Sequence, residues 1–397
     1  MHRTQMPHFN KKNIAILGST GSIGTQTEQI VLANPNMFNV IVISASGNNI
    51  NSLAAQCERL NPKYVVVCNE VARQQLSTLI SSKIKILLSR DYKTLCENIT
   101  LDIAVIAISG FAGAAPTLQM AKCSKTLAIA NKESIICAWD IIKKEADIHG
   151  CKIEPLDSEH NGIYELLKNA SFTTNELSNI TITASGGPFW NYEGDMSAII
   201  PAQAMKHPKW NMGTKNSIDS ATLFNKGLEI IEACTLFNVP TTMVDAVIHP
   251  NAIVHACVET KSGNSFAMMS QPDMKLHISN VLINNYGLHQ PIIKPLNLSK
   301  IGKLEFFPIQ EERFPAIKIA KQAFNASRSH VICFNAADEI AVDLFVNGAI
   351  KFNEIIPYIE ETLQNVKHHN PTTIEEILYL DRDHRKNAIH TMLGAKH

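Results

Sequence analysis

Short apolar runs that alternate with polar, helix-like segments constrain the fold of this chain more than any other feature. Between Asn13 and Asp157 the runs are "NIAILG", "VIVISA", "YVVVC", "IKILL", "DIAVIAIS" and "TLAIAN". Runs of about four to eight apolar residues separated by helical patterns are typical of parallel strands that are covered on both faces. The sequence therefore predicts an α/β fold that begins with a doubly wound domain.

The pattern changes after this region. A helix ("IYELLKN"), a strand ("NITITASGG"), one long helix ("SIDSATLFNKGLEIIEAC") and a hairpin turning at Gly263-Asn264 predict a central α+β domain. The prolines of "HQPIIKPLN" indicate a linker, and helical spacing beyond Phe314 predicts a C-terminal helical bundle. We place the first domain at 1–156, the central domain at 157–289, the linker at 290–313 and the bundle at 314–397.

Composition narrows the class of partner and the compartment. Thirty-six basic and thirty-six acidic residues cancel, so no overall field attracts nucleic acid or an anionic membrane. No apolar run reaches the roughly 18 to 20 residues that span a bilayer, and "MHRTQMPHFNKK" lacks the apolar centre of a secretory signal. Nine cysteines without a CxxC pair are typical of buried free thiols in a reducing compartment. We expect a cytoplasmic protein with a small-molecule partner.

A glycine-rich segment, "ILGSTGSIG", follows the first predicted strand and precedes a helix. Its Gly18, Gly21 and Gly24 let the backbone approach a pyrophosphate that rests on the helix N-terminus. An ordinary glycine-rich turn is the alternative. The position of the motif within a series of strand-helix units favours dinucleotide binding by a Rossmann-like domain.

The segment "SASGNNI" ends the second predicted strand, where an NAD-binding domain normally carries an acid for the ribose 2′-hydroxyl. No acid stands there, and Ser46, Asn48 and Asn49 around Gly47 can donate hydrogen bonds to a 2′-phosphate. The segment therefore favours NADP over NAD, although it contains neither arginine nor lysine.

The segment "ANKES" follows the sixth strand, at the sheet edge where open α/β sheets bind their ligands. Asn131 can bond a nicotinamide ribose, and Lys132 can meet a substrate oxygen or a metal-bound alkoxide. A plain helix start is the alternative, because Glu133 and Ser134 are favourable in a first turn. The residues leave these two interpretations equally open.

The segment "EPLDSEH" presents two carboxylates close together. If the strand period of two continues to its end, Asp157 and Glu159 project on one face and repel each other. Such a pair is spread into solvent, shares a proton, or holds a hard cation such as Mg²⁺ or Mn²⁺.

The predicted long helix brings further polar groups. Asn225 and Lys226 lie four and three residues before Glu229, so an amide, an ammonium and a carboxylate occupy neighbouring ridges. A solvated helix face is the alternative. Gly227 favours the first interpretation, because a mid-helix glycine costs up to about 1 kcal/mol and usually marks close approach of another group.

Two sites follow from these segments. Ser185 and the glycines of "ASGGPF", together with Ser220, Asn225 and Lys226, predict a phosphate pocket. Three carboxylates without a cysteine or histidine cluster predict an oxygen-ligand site for Mg²⁺ or Mn²⁺ rather than Zn²⁺. Its members are Asp157, Glu159 and Glu229.

The loop "MKHPKWNMGTKNS" places His207, Trp210 and Met212 among small and polar residues. This makeup is typical of a lid that closes over a substrate. A tryptophan packed in the core is the alternative.

In chain order, "GSTGSIG", "ANKES", "EPLDSEH", "SGGPF", "HPKWNMG" and "SIDSATLFNKGLEIIEA" resemble the 1-deoxy-D-xylulose 5-phosphate reductoisomerase family of non-mevalonate isoprenoid biosynthesis. The resemblance extends from about Ile14 to the terminal helices. It implies an enzyme that uses a divalent metal and NADPH. Such an enzyme rearranges 1-deoxy-D-xylulose 5-phosphate to an aldehyde and reduces the aldehyde to 2-C-methyl-D-erythritol 4-phosphate. We expect a homodimer that binds neither nucleic acid nor membrane.

The resemblance also implies roles for matching residues. Asp157, Glu159 and Glu229 would hold the metal, and these three together with Lys132 beside the metal are expected to be catalytic. The residues expected to hold the substrate and its phosphate are Ser158, Ser185, His207, Trp210, Met212, Ser220, Asn225 and Lys226. The residues expected to contact NADPH are Gly18, Thr20, Gly21, Ser22, Ile23, Gly47, Asn48, Asn49, Asn131, Lys132, Glu133 and Gly213.

Two positions depart from the family's pattern. The family commonly carries a lysine where this chain has Asn48. The 2′-phosphate would then be held less tightly, or by another cation such as Arg59 or Lys63. Ala184 stands where glycine is frequent, a change that we expect to be tolerated.

Two other functions remain open from the residues alone. An NADP-dependent dehydrogenase of a phosphorylated aldehyde would use the carboxylates only structurally. A nucleotide-sensing protein would bind NADPH without turnover. Isotope labelling separates the first from a reductoisomerase, because only a reductoisomerase moves a carbon.

Overall fold

Seven parallel strands form the larger of two sheets in the computed structural model, which describes residues 10–170, 172–207, 209, 212–283 and 292–394. The strands are β1 (Lys12–Leu17), β2 (Phe38–Ala45), β3 (Tyr64–Val67), β4 (Lys85–Leu88), β5 (Leu101–Ile106), β6 (Ser124–Ile129) and β7 (Lys152–Pro155). Their order is β4-β3-β2-β1-β5-β6-β7. The predicted doubly wound α/β domain is confirmed, and the sheet has one strand more than the six apolar runs.

Both faces of the larger sheet are buried, as its continuous apolar strands require. In β1, Ala15 and Leu17 belong to one apolar cluster, whereas Ile14 and Ile16 belong to another on the opposite face. The helices that follow successive strands are α1 (Ser22–Ala33), α2 (Ile50–Leu60), α3 (Glu70–Ser77), α4 (Tyr92–Cys96), α5 (Ala114–Cys123) and α6 (Lys132–His149).

A second, mixed sheet of four strands lies in the central part of the chain, in the order β11-β10-β8-β9. Its strands are β8 (Leu177–Ala184), β9 (Val244–Ile248), β10 (Val254–Thr260) and β11 (Ser265–Met269). The pair β10 and β11 is antiparallel, which confirms the predicted hairpin. The helices of this part are α7 (Ser158–Ala170), α8 (Pro201–Ala204), α9 (Thr214–Ala221), α10 (Phe224–Phe237), α11 (Met274–Leu282) and α12 (Leu298–Ile301).

Four helices complete the chain, as the helical spacing predicts: α13 (Ala316–Ala326), α14 (Arg328–Val346), α15 (Ile355–Leu363) and α16 (Ile374–Gly394). They share an apolar cluster with α5, α6 and α10, and Phe334 of α14 stacks on Phe224 of α10 with ring centroids 4.2 Å apart. The predicted linker contains α12 and a backbone bridge between Phe307 and Ile248. Because the apolar cluster continues across the expected boundaries, the four domain limits stay predictions.

The single long helix predicted for "SIDSATLFNKGLEIIEAC" is wrong. The chain ends α9 at Ala221 and begins α10 at Phe224, with Leu223 between them in the left-handed region at φ 56°. This conformation costs a non-glycine residue roughly 1–2 kcal/mol. Burial of the Leu223 side chain with Ala184 and Phe314 offsets that cost. No glycine or proline marks the break, so the local pattern does not reveal it.

Two expectations drawn from composition can be compared with the described residues. All nine cysteines are free; seven are buried, whereas Cys68 is exposed and Cys257 is half-buried. The expectation of buried thiols is therefore wrong for Cys68, which follows directly after the end of β3. In the described part of the chain, every helix is too short or too polar to cross a bilayer.

Candidate active site

A cavity of about 380 Å³ opens where β1, β5, β6 and β7 end. The order of the sheet reverses between β1 and β5, and open α/β sheets bind ligands at such switch points. The wall includes residues from loops after these strands and from the central part of the chain. The members predicted from sequence are Gly21, Ser22, Ile23, Lys132, Asp157, Ser158, Glu159, Ser185, His207, Met212, Gly213, Ser220, Asn225, Lys226 and Glu229.

The glycine-rich loop meets the cavity through Gly21, the residue before α1, and through Ser22 and Ile23. Gly18 has φ +82°, and a Cβ atom there would lie 2.3 Å from the carbonyl oxygen of Ala107. This glycine therefore lets the loop pack against the end of β5. In the described structure Gly18 and Thr20 do not line the cavity, and their contacts with NADPH stay predictions.

The two carboxylates of "EPLDSEH" lie close together, but the backbone that places them differs from the expected strand. Strand β7 ends at Pro155 and α7 begins at Ser158, so the strand period does not continue to Glu159 and that expectation is wrong. Asp157 stands just before α7, and Glu159 lies in its first turn. Their carboxylate oxygens and one of Glu229 lie within 4.8 Å of one another. The three acids form one cluster at the cavity wall.

Two lysines stand among these carboxylates. Lys132 Nζ lies 2.5 Å from Asp157 Oδ2 and 3.4 Å from Glu229 Oε1. Lys226 Nζ lies 2.7 Å from Glu159 Oε1, contacts Glu229, and donates to the carbonyl oxygen of Thr183 at 2.6 Å. Three carboxylates against two ammonium groups leave one net negative charge when all are ionised.

Burial and charge act in opposite directions on these acids. Burial favours the neutral form of Glu159, but the Lys226 ammonium and the Ser158 hydroxyl bring its pKa below the ordinary value. Burial and the nearby charge of Glu159 raise the pKa of Glu229 to about 7. Burial would lower the pKa of Lys132, yet Asp157 and Glu229 hold it well above the ordinary value. The cluster keeps its ammonium groups charged and one acid easily protonated.

The break before α10 places a helix N-terminus at the cavity. The N-cap residue of α10, Leu223, makes no side-chain cap, although Thr222 Oγ1 accepts a hydrogen bond from Phe224 N at 3.3 Å. The first turn carries Asn225 and Lys226 on the cavity wall. Ser220, from the last turn of α9, lines the same space. Backbone N–H groups and positive charge at a helix N-terminus are suited to an anion such as phosphate.

Ser185 and His207 form a hydrogen-bonded pair at the same wall. The Nδ1 atom of His207 accepts a hydrogen bond from the backbone N–H of Lys209 at 3.2 Å. Its Nε2 therefore carries the proton and donates to Ser185 Oγ at 2.9 Å. Burial lowers the pKa of His207 to about 4, so the ring is neutral at pH 7. Trp210 of the predicted lid lies outside the described residues.

Asn131 and Glu133 are buried behind the cavity, although both were expected to contact the cofactor. The Asn131 amide donates to the carbonyl oxygens of Ile108 and Gly110 at 2.8 and 2.9 Å, and its Oδ1 accepts from Ser134 N. Asn131 is thus the N-cap of α6, as the helix-start interpretation proposes. Cofactor contacts of the two residues stay predictions.

Gly47, Asn48 and Asn49 lie in a separate surface depression. The other described residues that line it are Ile50, Asn51, Gln75, Thr78 and Leu79, so the lining carries no charge. Of the two cations considered for a 2′-phosphate, Arg59 pairs with Glu28 at 2.7 Å, and the Lys63 ammonium stands over the ring of Tyr64.

Sequence reasoning missed several residues of the cavity wall. Asn216 lies one helical turn before Ser220, and that spacing in α9 is a signal that would have found it. Asp273 and Met274, at the start of α11, also line the wall. No spacing relates them to the other site residues, because only the tertiary fold brings α11 to the cavity.

Comparisons with known proteins agree with this geometry. Family models described as 1-deoxy-D-xylulose 5-phosphate reductoisomerase, its C-terminal domain, and DXP reductoisomerase C-terminal domain match residues 14–139, 153–237 and 269–387. The reductoisomerase of Thermomicrobium roseum is 39% identical over 378 residues, covering 93% of this chain and 94% of that protein. That of Buchnera aphidicola is 38% identical, covering 94% and 97%.

Solved structures of the same enzyme also resemble this fold. The Zymomonas mobilis enzyme in complex with NADPH has a TM-score of 0.86 at 31% identity, covering 96% of this chain and 99% of that one. A complex of DOX-P reductoisomerase with NADPH, fosmidomycin and magnesium has a TM-score of 0.86 at 31% identity, covering 97% and 99%. The chain therefore belongs to the 1-deoxy-D-xylulose 5-phosphate reductoisomerase family.

Proposed function

We propose that this enzyme converts 1-deoxy-D-xylulose 5-phosphate to 2-C-methyl-D-erythritol 4-phosphate, with NADPH and a divalent metal, in isoprenoid biosynthesis. The observation that carries the proposal is the convergence of three carboxylates, two lysines and the first turn of α10 on one cavity. The cavity opens at the switch point of a nucleotide-binding type of sheet, so cofactor and substrate would meet there.

Asp157, Glu159 and Glu229 are suited to hold Mg²⁺ or Mn²⁺, because their oxygen atoms converge within 4.8 Å and oxygen is the donor that both ions prefer. When bound, the ion polarises the substrate's ketone and stabilises negative charge during the rearrangement. Lys132, whose ammonium contacts Asp157, would donate a hydrogen bond to a substrate oxygen.

The phosphate of the substrate would bind at the start of α10. With a divalent cation added, the carboxylate-lysine cluster carries one net positive charge, which favours an anionic substrate. Ser185, Ser220 and Asn225 supply hydrogen-bond donors along the same wall. Binding energy from this remote group helps to hold a small, flexible sugar in reactive geometry.

NADPH would extend from Gly21, Ser22 and Ile23 toward Gly47 and Asn48, with its reducing end near Lys132. The loop that holds His207 and Met212 would close over the bound sugar and exclude water. Homodimer formation, expected from the family resemblance, and a cytoplasmic location, expected from the cysteine usage, are part of the same proposal.

The test follows the carbon skeleton. The purified protein is incubated with deoxyxylulose phosphate labelled with ¹³C at C3 and C4, NADPH, and either Mg²⁺ or a chelator. We expect NADPH oxidation only with the metal, and a product whose labelled carbons have changed neighbours. NADPH oxidation with an unrearranged skeleton would support the simple dehydrogenase instead. NADPH binding without turnover would support the nucleotide-sensing protein.

A further inference from the structure

A second buried ion cluster lies behind the cavity wall. Its centre is Lys215, in the first turn of α9, and its acids are Asp219, Asp338 and Glu133; we call these four residues the Lys215 cluster. Lys215 Nζ lies 2.5 Å from Asp219 Oδ2, 2.8 Å from Asp338 Oδ2 and 3.9 Å from Glu133 Oε1. The same ammonium stands 5.9 Å from the centre of the Phe224 ring. One charged group thus touches α9, α14, α6 and the start of α10.

The cluster depends on that one ammonium. The side chains of Asp219 and Asp338 are 1% and 0% exposed, and no other described cation forms an ion pair with them. Asp219 Oδ1 and both carboxylate oxygens of Asp338 are buried without a hydrogen-bond partner among the described residues, so Asp338 Oδ2 has only its ion pair with Lys215. Removing one partner of a buried ion pair leaves an uncompensated charge, which is more costly than removing the whole pair.

The elements that meet at Lys215 carry the reactive wall. Helix α9 begins directly after Met212 and Gly213 and carries Asn216 and Ser220 on the cavity. Glu133 is the neighbour of Lys132 in α6. Helix α14, which supplies Asp338, packs against α6 and α16 and lies outside the cavity lining. The ammonium therefore ties the wall of the cavity to a helix that does not take part in it.

We propose that Lys215 is a positioning residue, which fixes α9 against α14 so that Asn216 and Ser220 keep their places on the cavity wall that Lys132 also lines. The proposal rests on the function proposed above. Loss of the Lys215 ammonium would displace Asn216 and Ser220 of α9, while the glycine-rich loop would stay in place. A displacement of about 1 Å can reduce catalysis as much as a hundredfold without any contact with substrate being deleted.

The test separates positioning from stability. In Lys215→Met the unpaired acids should lower Tm and raise KM for the sugar phosphate at least about fivefold, with the NADPH dissociation constant unchanged. In Lys215→Met/Asp338→Leu, apolar groups replace the ammonium and one of its acids, so Tm should recover in part, while Asp219 stays buried without its cation. KM should stay raised, and amides of 214–221 should exchange hydrogen faster than in the wild type, because α9 has lost its tether.

The control is Lys143→Met. Lys143 and Asp147 form a pair with the same spacing as Lys215 and Asp219, but on the exposed face of α6. The Lys143→Met substitution should change neither Tm nor KM. The proposal would be overturned if KM in the double variant returned to the wild-type value as Tm recovered. A normal KM in Lys215→Met would also overturn it. If Lys215→Met does not fold, the double variant decides alone. If the wild type has no reductoisomerase activity, the proposed function fails, while the exchange of α9 amides still tests the tether.

Discussion

The proposed metal end of the site, at Asp157, Glu159 and Glu229, and its proposed adenosine end, at Gly47 to Leu79, differ in how the chain uses charge. At the metal end, Asp157, Glu159 and Glu229 are held by two lysines in a partly enclosed cavity. At the adenosine end, the described lining from Gly47 to Leu79 is uncharged and lies in an open depression. Preorganised charge is worth most where a reaction develops charge away from water. The difference therefore predicts that substitutions at the metal end act on turnover, and those at the adenosine end on cofactor affinity.

The largest effect is expected for Glu229→Gln. The change removes one negative charge from the proposed metal site and preserves the shape of the side chain. The value of kcat should therefore fall by more than about a hundredfold, beyond the loss typical of residues that only support metal ligands. The fold should persist, because burial already raises the pKa of Glu229 to about 7 and a neutral side chain is tolerated there. Steady-state kinetics with increasing Mn²⁺ should show partial rescue. An unchanged rate of the variant at limiting metal would show that Glu229 is not a metal ligand.

Glu232→Gln is the matched control. Glu232 lies in the same helix as Glu229 and is equally buried, but it does not line the described cavity. Its carboxylate lies instead within 4.8 Å of Asp157 and His160. Burial holds its pKa well above the ordinary value, so glutamine resembles its neutral form. We expect a loss of less than about fivefold. Equal losses of kcat in the two variants would mean that the side of α10 that carries Glu232 matters as much as the side that faces the cavity.

Asn48→Lys tests the adenosine end. A charge-assisted bond to the 2′-phosphate contributes roughly 1.5 to 3 kcal/mol, or about tenfold to a hundredfold in affinity. NADPH should bind more tightly at low ionic strength, NADH should change little, and salt should reduce the gain. Dissociation constants for both cofactors at two salt concentrations provide the measurement. The structure favours this outcome, because Arg59 is already paired with Glu28.

Asn48→Gln is the control for that gain, because it lengthens the side chain without adding charge. It should leave NADPH affinity within about threefold of the wild type. If Asn48→Lys improves NADH and NADPH equally, the added side chain contacts something other than the 2′-phosphate. If it improves neither, another positive group already serves that position.

The parts of the site that could be predicted are those set by short-range spacing. Asn225, Lys226 and Glu229 were placed on neighbouring helical ridges, and the structure shows Lys226 and Asn225 in contact with Glu229. The strands were predicted because burial on both faces leaves continuous apolar runs. Asp157 and Glu159 were paired correctly, but for the wrong reason, since a helix start rather than a strand brings them together.

The parts that could not be predicted depend on packing between distant segments. Leu223 breaks the helix because Ala184 and Phe314 bury its side chain, and neither neighbour is close in sequence. The contact between Lys215 and Asp338 joins helices that are far apart along the chain. Local patterns contain no information about such contacts.

A smaller effect is expected for His207→Ala at the substrate end. The change removes the hydrogen bond to Ser185, which contributes about 0.5 to 1.5 kcal/mol, so KM should rise roughly twofold to tenfold. NADPH affinity should stay near the wild-type value, because the adenosine depression does not include this loop. His149→Ala, on the exposed end of α6, is the control and should change neither quantity. An equal loss of NADPH affinity would assign the loop to the cofactor end.

The smallest expected effect is a dependence of stability on pH that comes from His207. Burial lowers the pKa of His207 to about 4, below its ordinary value of 6.5, so the folded chain binds fewer protons than the unfolded chain between these values. The contribution of neutral His207 is fully present above pH 6.5 and is lost as pH falls toward 4. Because this side chain is partly open to solvent, the effect on Tm should be only about 1–2 °C between pH 7 and pH 5. His207→Gln should lack this increment, so the wild type should lose more Tm on acidification than the variant. Equal losses would show that the pKa of His207 is not lowered by folding.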